Sequence, residues 1–270
     1  MKWTTEAENE LSRVPFFVRR HVRKRVEAEA AQFRASEVTP GHIDSCRKKF
    51  LGAMEQEVRG YQVEICFGTG SCPNRAVADG ELAKELEEML EGKAIRSLLE
   101  KRVRGPLKLH HEFRVSVSDC PNACSRPQIV DVGLIGAQRP GVTDEPCTRC
   151  LACVETCKED AIELSDDGKP PRIDPDKCVW CGQCISVCPS RTLEKNASGY
   201  RLLIGGKLGR RPQLAQEIAG IYSKGEVLAA VEKCVDHYLE MNVRGERFGE
   251  ILRRTGSEFL PEVSRDKTEQ

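Results

Sequence analysis

Eight of the chain's cysteines repeat one spacing twice, and no other feature restricts the fold as tightly. The first copy is Cys147-x2-Cys150-x2-Cys153-x3-Cys157; twenty residues later the second is Cys178-x2-Cys181-x2-Cys184-x3-Cys188-Pro189. A cubane iron–sulfur cluster needs four thiolates on a few tight turns. Two-residue gaps let successive sulfurs wrap one corner of the cube, and the fourth ligand comes from the other repeat. One cluster is therefore expected on Cys147, Cys150, Cys153 and Cys188, and a second on Cys178, Cys181, Cys184 and Cys157. A pair of zinc ribbons would want two CxxC pairs rather than two four-cysteine runs. Lys158 follows Cys157 where proline often stands, as Pro189 does after Cys188. That changes the turn after the ligand and leaves the ligand set intact.

Composition narrows the setting. With 270 residues there is room for one medium domain and one or two small ones, at the usual ~100–200 residues per domain. Lys+Arg and Asp+Glu both number 42, so the net charge is zero. Nothing global argues for nucleic acid or a membrane surface as a partner. Aromatic residues make up 5% of the chain, too few for a broad base-stacking platform. The opening MKWTTEAENELSRVPFF lacks a basic start followed by a long apolar stretch, so it does not read as a secretory signal. No apolar run approaches the ~18–20 residues that span a bilayer. A soluble, cytoplasmic protein is expected, and in that reducing setting tightly spaced cysteines are metal ligands before they are disulfides.

Along the chain, residues 1–55 read as helical, with an Arg/Lys-rich run from Arg19 to Arg25 and a turn at Thr39-Pro40-Gly41 that starts a further helix through Phe50. Tyr61 to Cys66 alternates like a strand and enters a Gly/Ser/Pro loop. Ala76 to Lys101 follows as helix, with Leu82, Leu86, Met89 and Leu90 on one stripe. Strands are expected at Glu112–Ser118, Gln128–Leu134 and Tyr200–Ile204, and helices over residues 213–223 and 225–254. Asp160-Ala161-Ile162 and Arg191-Thr192-Leu193 look like matched strand starts packing the core of the cysteine module. Strands with covering helices, interrupted by that module, make an α+β fold with an insertion.

Four of the remaining six cysteines form another pattern, Cys66-x5-Cys72 and, forty-eight positions on, Cys120-x3-Cys124. Each pair sits in a loop at the end of an expected strand, and both loops contain Cys-Pro-Asn. Gly68 and Gly70 let the backbone approach a bulky group closely. Thiolates from two neighbouring strand ends can close a third 4Fe–4S cluster. Cys46 and Cys234 lie in expected helices without a cysteine partner and read as small buried apolar side chains. His21 and His237 sit on polar helices and need no role.

These residues carry a resemblance. Tyr61–Val77 and Phe113–Gly136, including SVSDCPNACSRPQIVDVGLIG, look like the sirohaem and iron–sulfur domain of nitrite and sulfite reductases, in which dissimilatory and anaerobic members insert a bacterial two-cluster ferredoxin at this point. Ile204–Pro212 and Gly245–Gly249 are similar to the segment that resumes that domain. The resemblance implies that Cys66, Cys72, Cys120 and Cys124 hold a cluster and that Cys124 also bridges the sirohaem iron. Sirohaem is rich in carboxylates and needs cations that cannot lose charge. Arg126, Lys207, Arg210 and Arg211 are the candidates. Arg114, Lys207 and His111 are candidates for proton delivery near the distal face.

The likeness has departures. Sulfite-reducing relatives carry a Lys-x-Lys pair on the strand before Cys-x3-Cys, and here those positions are Glu112 and Arg114, preceded by His110 and His111. A carboxylate facing an anion repels it. The half domain that normally precedes the first cysteine pair is not recognisable upstream of Tyr61. Residues 3–50 instead resemble the small C-terminal domain of the light-independent protochlorophyllide reductase catalytic subunit, or read as a basic helical docking domain.

The expected order is a basic helical domain at 1–55, a sirohaem and cluster domain in two parts at 56–142 and 196–262, the ferredoxin insertion at 143–195, and a polar tail at 263–270. Three readings follow. The first is a sirohaem-dependent reductase acting on a small oxyanion such as sulfite or nitrite, with three 4Fe–4S clusters and sirohaem, fed by an electron-donor protein and completed by another subunit or a second copy. The second is an electron-transfer subunit of a larger redox complex without oxyanion reduction. The third is tetrapyrrole handling.

Overall fold

The computed structural model describes residues 1–68, 70–165 and 169–260; the polar tail expected at 263–270 lies outside them. The chain forms two compact units, residues 1–59 with 103–110, and residues 60–102 with 111 onward.

The first unit is helical, as its sequence predicts. Helices α1 (Thr5–Ser12), α2 (Phe16–Gln32) and α3 (Pro40–Glu57) pack with a two-residue parallel pair, β1 (Lys2–Trp3) and β2 (Glu37–Val38). Pro40 opens α3 behind the Thr39 cap, where a missing N–H costs nothing. Ala7, Val26, Ala30 and Val38 form the core, with Trp3, Ile43 and Cys46 against it. Cys46 is thus a packing residue, as expected.

The second unit is a five-stranded sheet in the order β3-β4-β5-β8-β9, where β3 is Tyr61–Ile65, β4 is Phe113–Ser118, β5 is Val132–Val142, β8 is Leu193–Ile204 and β9 is Gln216–Tyr222. The first three strands are parallel, and β8 and β9 are antiparallel to their neighbours. Alternation along β4 puts Phe113, Val115 and Val117 on one face and Arg114, Ser116 and Ser118 on the other. Phe113 packs against Tyr238 and Phe248 at centroid distances of 5.1 and 5.4 Å. These rings belong to α8 (Lys224–Met241) and α9 (Phe248–Thr255), while α4 (Leu82–Glu91) buries Leu82, Leu86 and Leu90. Cys234 is fully buried on α8, and burial pushes its thiol upward.

Four elements differ from their sequence expectation. Residues 76–101 are not one helix: it breaks at the C-cap Gly92 into α4 and α5 (Ile95–Arg102), because glycine is a poor helix interior. The strand expected from Gln128 begins at Val132, after a 3-10 turn at Pro127–Ile129. Residues 225–254 split into α8 and α9, where Asn242 caps and holds Gly245 N–H (2.8 Å) and Glu246 O (2.9 Å). Most instructive is 213–223, expected as helix and found as the edge strand β9. Its Ala, Gln and Glu favour a helix, but pairing with β8 completes the sheet, and Arg201 bonds Glu217 across the strands (2.6 Å). Tertiary pairing overrides local propensity there.

The cysteine module hangs from a long β5–β8 hairpin whose register runs from Val132↔Ile204 to Val142↔Leu193, with a shift between Arg139 and Pro140. It contains α6 (Ala152–Thr156), α7 (Gln183–Ser186) and the antiparallel pair β6 (Ile162–Glu163) and β7 (Arg172–Ile173). Ile162 and Leu193, the two matched strand starts, share its small core with Cys153 and Cys184.

Candidate metal centre

Parallel pairing decides where the second cysteine set lies. Ile65 is opposite Val117, so β3 and β4 end at the same edge of the sheet and their loops emerge side by side. Cys66 N–H donates to Val117 O (3.0 Å), and Asp119 N–H donates to Cys66 Sγ (3.5 Å). Cys66, Cys72, Cys120 and Cys124 line one cavity of about 250 Å3. A Cβ on Gly68 would stand 2.8 Å from Cys72 Cβ and 3.5 Å from Cys66 Sγ, so the loop closes over the thiols only with glycine there. Burial pushes the Cys120 thiol up, and Cys124, Cys72 and Cys66 add to the rise. Without a bound cation, burial and these neighbours favour the neutral thiol.

The loop carrying Cys124 folds back over the polar face of β4. Ser116 Oγ donates to Ser125 O (2.8 Å), Ser125 Oγ donates to Val117 O (2.8 Å), and the hydroxyls of Ser118 and Ser125 lie 2.7 Å apart. Two glycines of β5 make room for this loop: a Cβ on Gly133 would meet Pro127 O at 2.1 Å, and one on Gly136 would meet Asp119 O at 2.4 Å. Cys66 and Cys120 are buried, and Cys124 is exposed at the rim.

The cysteines of the two repeats lie in one module. Cys147 and Cys188 both act electrostatically on buried Cys153. Cys184 is pushed up to about 12 by burial, and Cys181, Cys178 and Cys157 add to the rise. Each of these buried thiols thus has a neighbour from the other repeat. Backbone N–H groups of Arg149, Ala161 and Leu193 donate to Cys147, Cys157 and Cys188 sulfurs at 3.4 Å. The repeats share an unusual backbone. Left-handed residues fall at Arg149 and Trp180, Leu151 and Gly182, and Asp160 and Arg191, matched position by position. Such alternation turns successive N–H groups inward and makes an anion-binding nest, a reason for these side chains to accept a disfavoured conformation.

The two sites adjoin. A second cavity, about 270 Å3, is lined by Cys157, Cys178, Cys181 and Cys184 on one side and by Cys120, Pro121 and Asn122 on the other. No disulfide joins any of the fourteen cysteines. Among the described residues no three His, Cys, Asp or Glu side chains converge as a lone ion requires. Thiols that ring a cavity suit a cube whose irons each take one ligand. The donor sets fit iron–sulfur clusters.

Comparison with known proteins agrees. The model of the nitrite and sulphite reductase 4Fe–4S domain matches residues 59–270. The chain belongs to that family. Residues 3–47 of this reductase-family chain match the proto-chlorophyllide reductase 57 kD subunit family. A coenzyme F420-dependent sulfite reductase of Methanocaldococcus jannaschii is 33% identical over 202 residues, covering 73% of this chain and 30% of the relative. The chain therefore spans under a third of that enzyme. An uncharacterized protein of the same organism is 28% identical over 229 residues, 83% of this chain and 74% of the relative. The crystal structure of dissimilatory sulfite reductase I aligns at 16% identity with a TM-score of 0.48, over 83% of this chain and 61% of that one.

Within this reductase-like domain the expected polar residues fall in different places. Arg114 is on the polar face of β4, and its guanidinium is paired with Glu64 on β3. Lys207 is buried and paired with Glu250. Glu112 is 4% exposed at the start of β4. His111 precedes that strand, at the end away from Cys120. Arg126 is exposed in a left-handed turn before Pro127. Arg210 and Arg211 are exposed in a hairpin closed by Lys207 and Gln213, whose continuation at Ala215 bonds Gln128 O (2.7 Å). The Arg126 turn and this hairpin are therefore neighbouring segments. Sequence reasoning missed Gln138, Asp131 and Glu64. None lies in a cysteine motif, and their partners are 17 to 116 positions away, so no local signal marks them.

Proposed function

We propose that this chain is the cluster- and sirohaem-carrying part of an enzyme that reduces a small oxyanion such as sulfite or nitrite. Cys147, Cys150, Cys153 and Cys188 would hold one 4Fe–4S cluster. Cys178, Cys181, Cys184 and Cys157 would hold a second, and Cys66, Cys72, Cys120 and Cys124 a third. Cys124 would also contact the sirohaem, with Arg126, Lys207, Arg210 and Arg211 serving its carboxylates. When bound, the clusters carry single electrons and the sirohaem supplies the iron at which the oxyanion is reduced.

The chain's residues then position and exclude. Buried Cys66 and Cys120 keep water from one side of their group, while Cys124 lines the same cavity from an exposed position. Exposed guanidiniums at Arg126, Arg210 and Arg211 offer charge that persists at any working pH. Arg114, Lys207 and His111 are the proposed anion and proton contacts. The observation that carries the reading is the cavity lined by both the Cys178 group and the Cys120–Asn122 loop, which supports a route between the proposed clusters. A sirohaem on exposed Cys124 would be open on one side, so a second copy or another subunit is proposed to cover it. An electron-donor protein would meet the ferredoxin module. The proposed division keeps a helical domain at 1–55, reductase parts at 56–142 and 196–262, and the insertion at 143–195.

Iron analysis and the absorption spectrum of anaerobically purified protein test this. Three cubanes require about twelve irons per chain, and sirohaem adds one more with its own visible bands. Clusters without extractable tetrapyrrole would remove the reductase reading. A specific observation favours the alternative, an electron-transfer subunit: Arg114 and Lys207 are both neutralised, by Glu64 and Glu250. If sirohaem is present, turnover of sulfite and nitrite with a strong reductant decides between the two.

A further inference from the structure

Gln138 lies outside every cysteine motif, yet it joins the two cysteine sites. It sits on β5 just before the register shift at Arg139/Pro140. Its backbone N–H donates to Trp180 O at 2.7 Å, and it forms an isolated bridge with Cys181. Its side-chain amide reaches the other way and donates to Ala76 O, in the loop that follows Cys72. Ala76 N–H in turn donates to Asp119 O (2.8 Å), and Asp119 N–H donates to Cys66 Sγ (3.5 Å). The fit on the module side is close. A Cβ on Gly182 would stand 2.7 Å from Gln138 Oε1, so the residue after Cys181 has to be glycine for the amide to lie there. A continuous hydrogen-bonded route therefore runs from the Cys178–Cys184 loop, through one glutamine, to the loops of the other four cysteines. On the same side, the cavity that reaches Cys120, Pro121 and Asn122 is lined by Cys157, Cys178, Cys181 and Cys184.

We propose that Gln138 is a positioning residue for electron transfer, fixing how closely the Cys157/Cys178/Cys181/Cys184 group approaches the Cys66/Cys72/Cys120/Cys124 group. It follows that the second-repeat cluster is the immediate exchange partner of the third, and the Cys147 cluster the outer one. Each passage is a single electron lost by one cluster and gained by the next, with no other reactant. This inference rests on the cluster assignment above.

The test is Gln138→Leu, which removes the amide donor and keeps both the backbone bond to Trp180 and the side-chain bulk; Gln138→Met is the second variant. Reduction from the outer side, followed by freeze-quench electron paramagnetic resonance, reads the rate of arrival at the third cluster. The expected result is unchanged iron content and unchanged midpoint potentials, with a rate lower by about tenfold or more, as loss of positioning typically costs. An unchanged rate in either variant carrying about twelve irons would overturn the inference alone. So would loss of ferredoxin iron in both variants, which would make Gln138 a folding residue. Wild-type protein with only about eight irons would instead remove the third cluster, and with it both readings.

Discussion

Arg247 Nη2 lies 2.5 Å from Asp131 Oδ2, and that carboxylate also accepts the backbone N–H of Arg114 at 2.9 Å. One buried acid thus ties the α9 end of the unit to the strand that leads into Cys120. Asp131 is 1% exposed and Arg247 20%. Removing the cation strands a buried charge, which typically costs about 3–5 kcal/mol. Arg247→Met is expected to fall toward the lower end of that range, because Arg247 is partly solvated, and denaturant unfolding checks it.

Gly133 and Gly136 allow the cysteine loop to lie flat on β5. Adding a methyl at either site drives it into Pro127 or Asp119 backbone, which cannot swing aside as a side-chain tip can. Overpacking of this kind costs about 1–3 kcal/mol or more. Gly136→Ala should lose about four of the roughly twelve irons while the ferredoxin module keeps its own.

The proposed crossed ligand sets make a sharp distinction. Cys157→Ser should abolish the spectroscopic signature of the cluster on Cys178, Cys181 and Cys184, and Cys188→Ser that of the cluster on Cys147, Cys150 and Cys153. Signatures lost within the mutated repeat instead would mean that each repeat binds alone. Electron paramagnetic resonance of the reduced variants reads the result.

Tyr200 is 1% exposed and its hydroxyl has no hydrogen-bond partner among the described residues. Burial, with Asp79, Asp119 and Cys66 nearby, pushes its phenol upward. A polar group buried without a partner costs about 1–3 kcal/mol. Tyr200→Phe should therefore raise stability, by about 1 kcal/mol if the cavity keeps its shape, measurable as a higher thermal midpoint.

Cys234 is fully buried among apolar side chains. Cys234→Ala should retain every iron and lose about 1 kcal/mol or less from the vacated volume. Iron loss in this variant would mean that the ligand count extends beyond the twelve assigned thiols.

Local and semi-local signals were strong wherever chemistry depends on spacing. The two four-cysteine runs, the paired Cys-Pro-Asn loops, the β4 alternation and the Thr39-Pro40 helix start could all be read directly, because each is a contact between near neighbours in the chain. Segment 213–223 could not. Its residues suit a helix, and only the open edge of β8 makes it a strand. The break of the long C-terminal helix depended in the same way on Asn242 finding Gly245 and Glu246.

The amino-acid order alone therefore determined the spacing of the proposed thiol ligands in each repeat and the α+β character of the chain. Thiolate chemistry and helix or strand periodicity act over a few residues. Only the tertiary structure decided that β3 and β4 end together, that Arg114 and Lys207 are matched by Glu64 and Glu250, and that Gln138 spans the gap between cysteine sites. Those relations are pairings between strands and loops far apart in sequence, set by which surfaces bury each other, and no short window of residues encodes them.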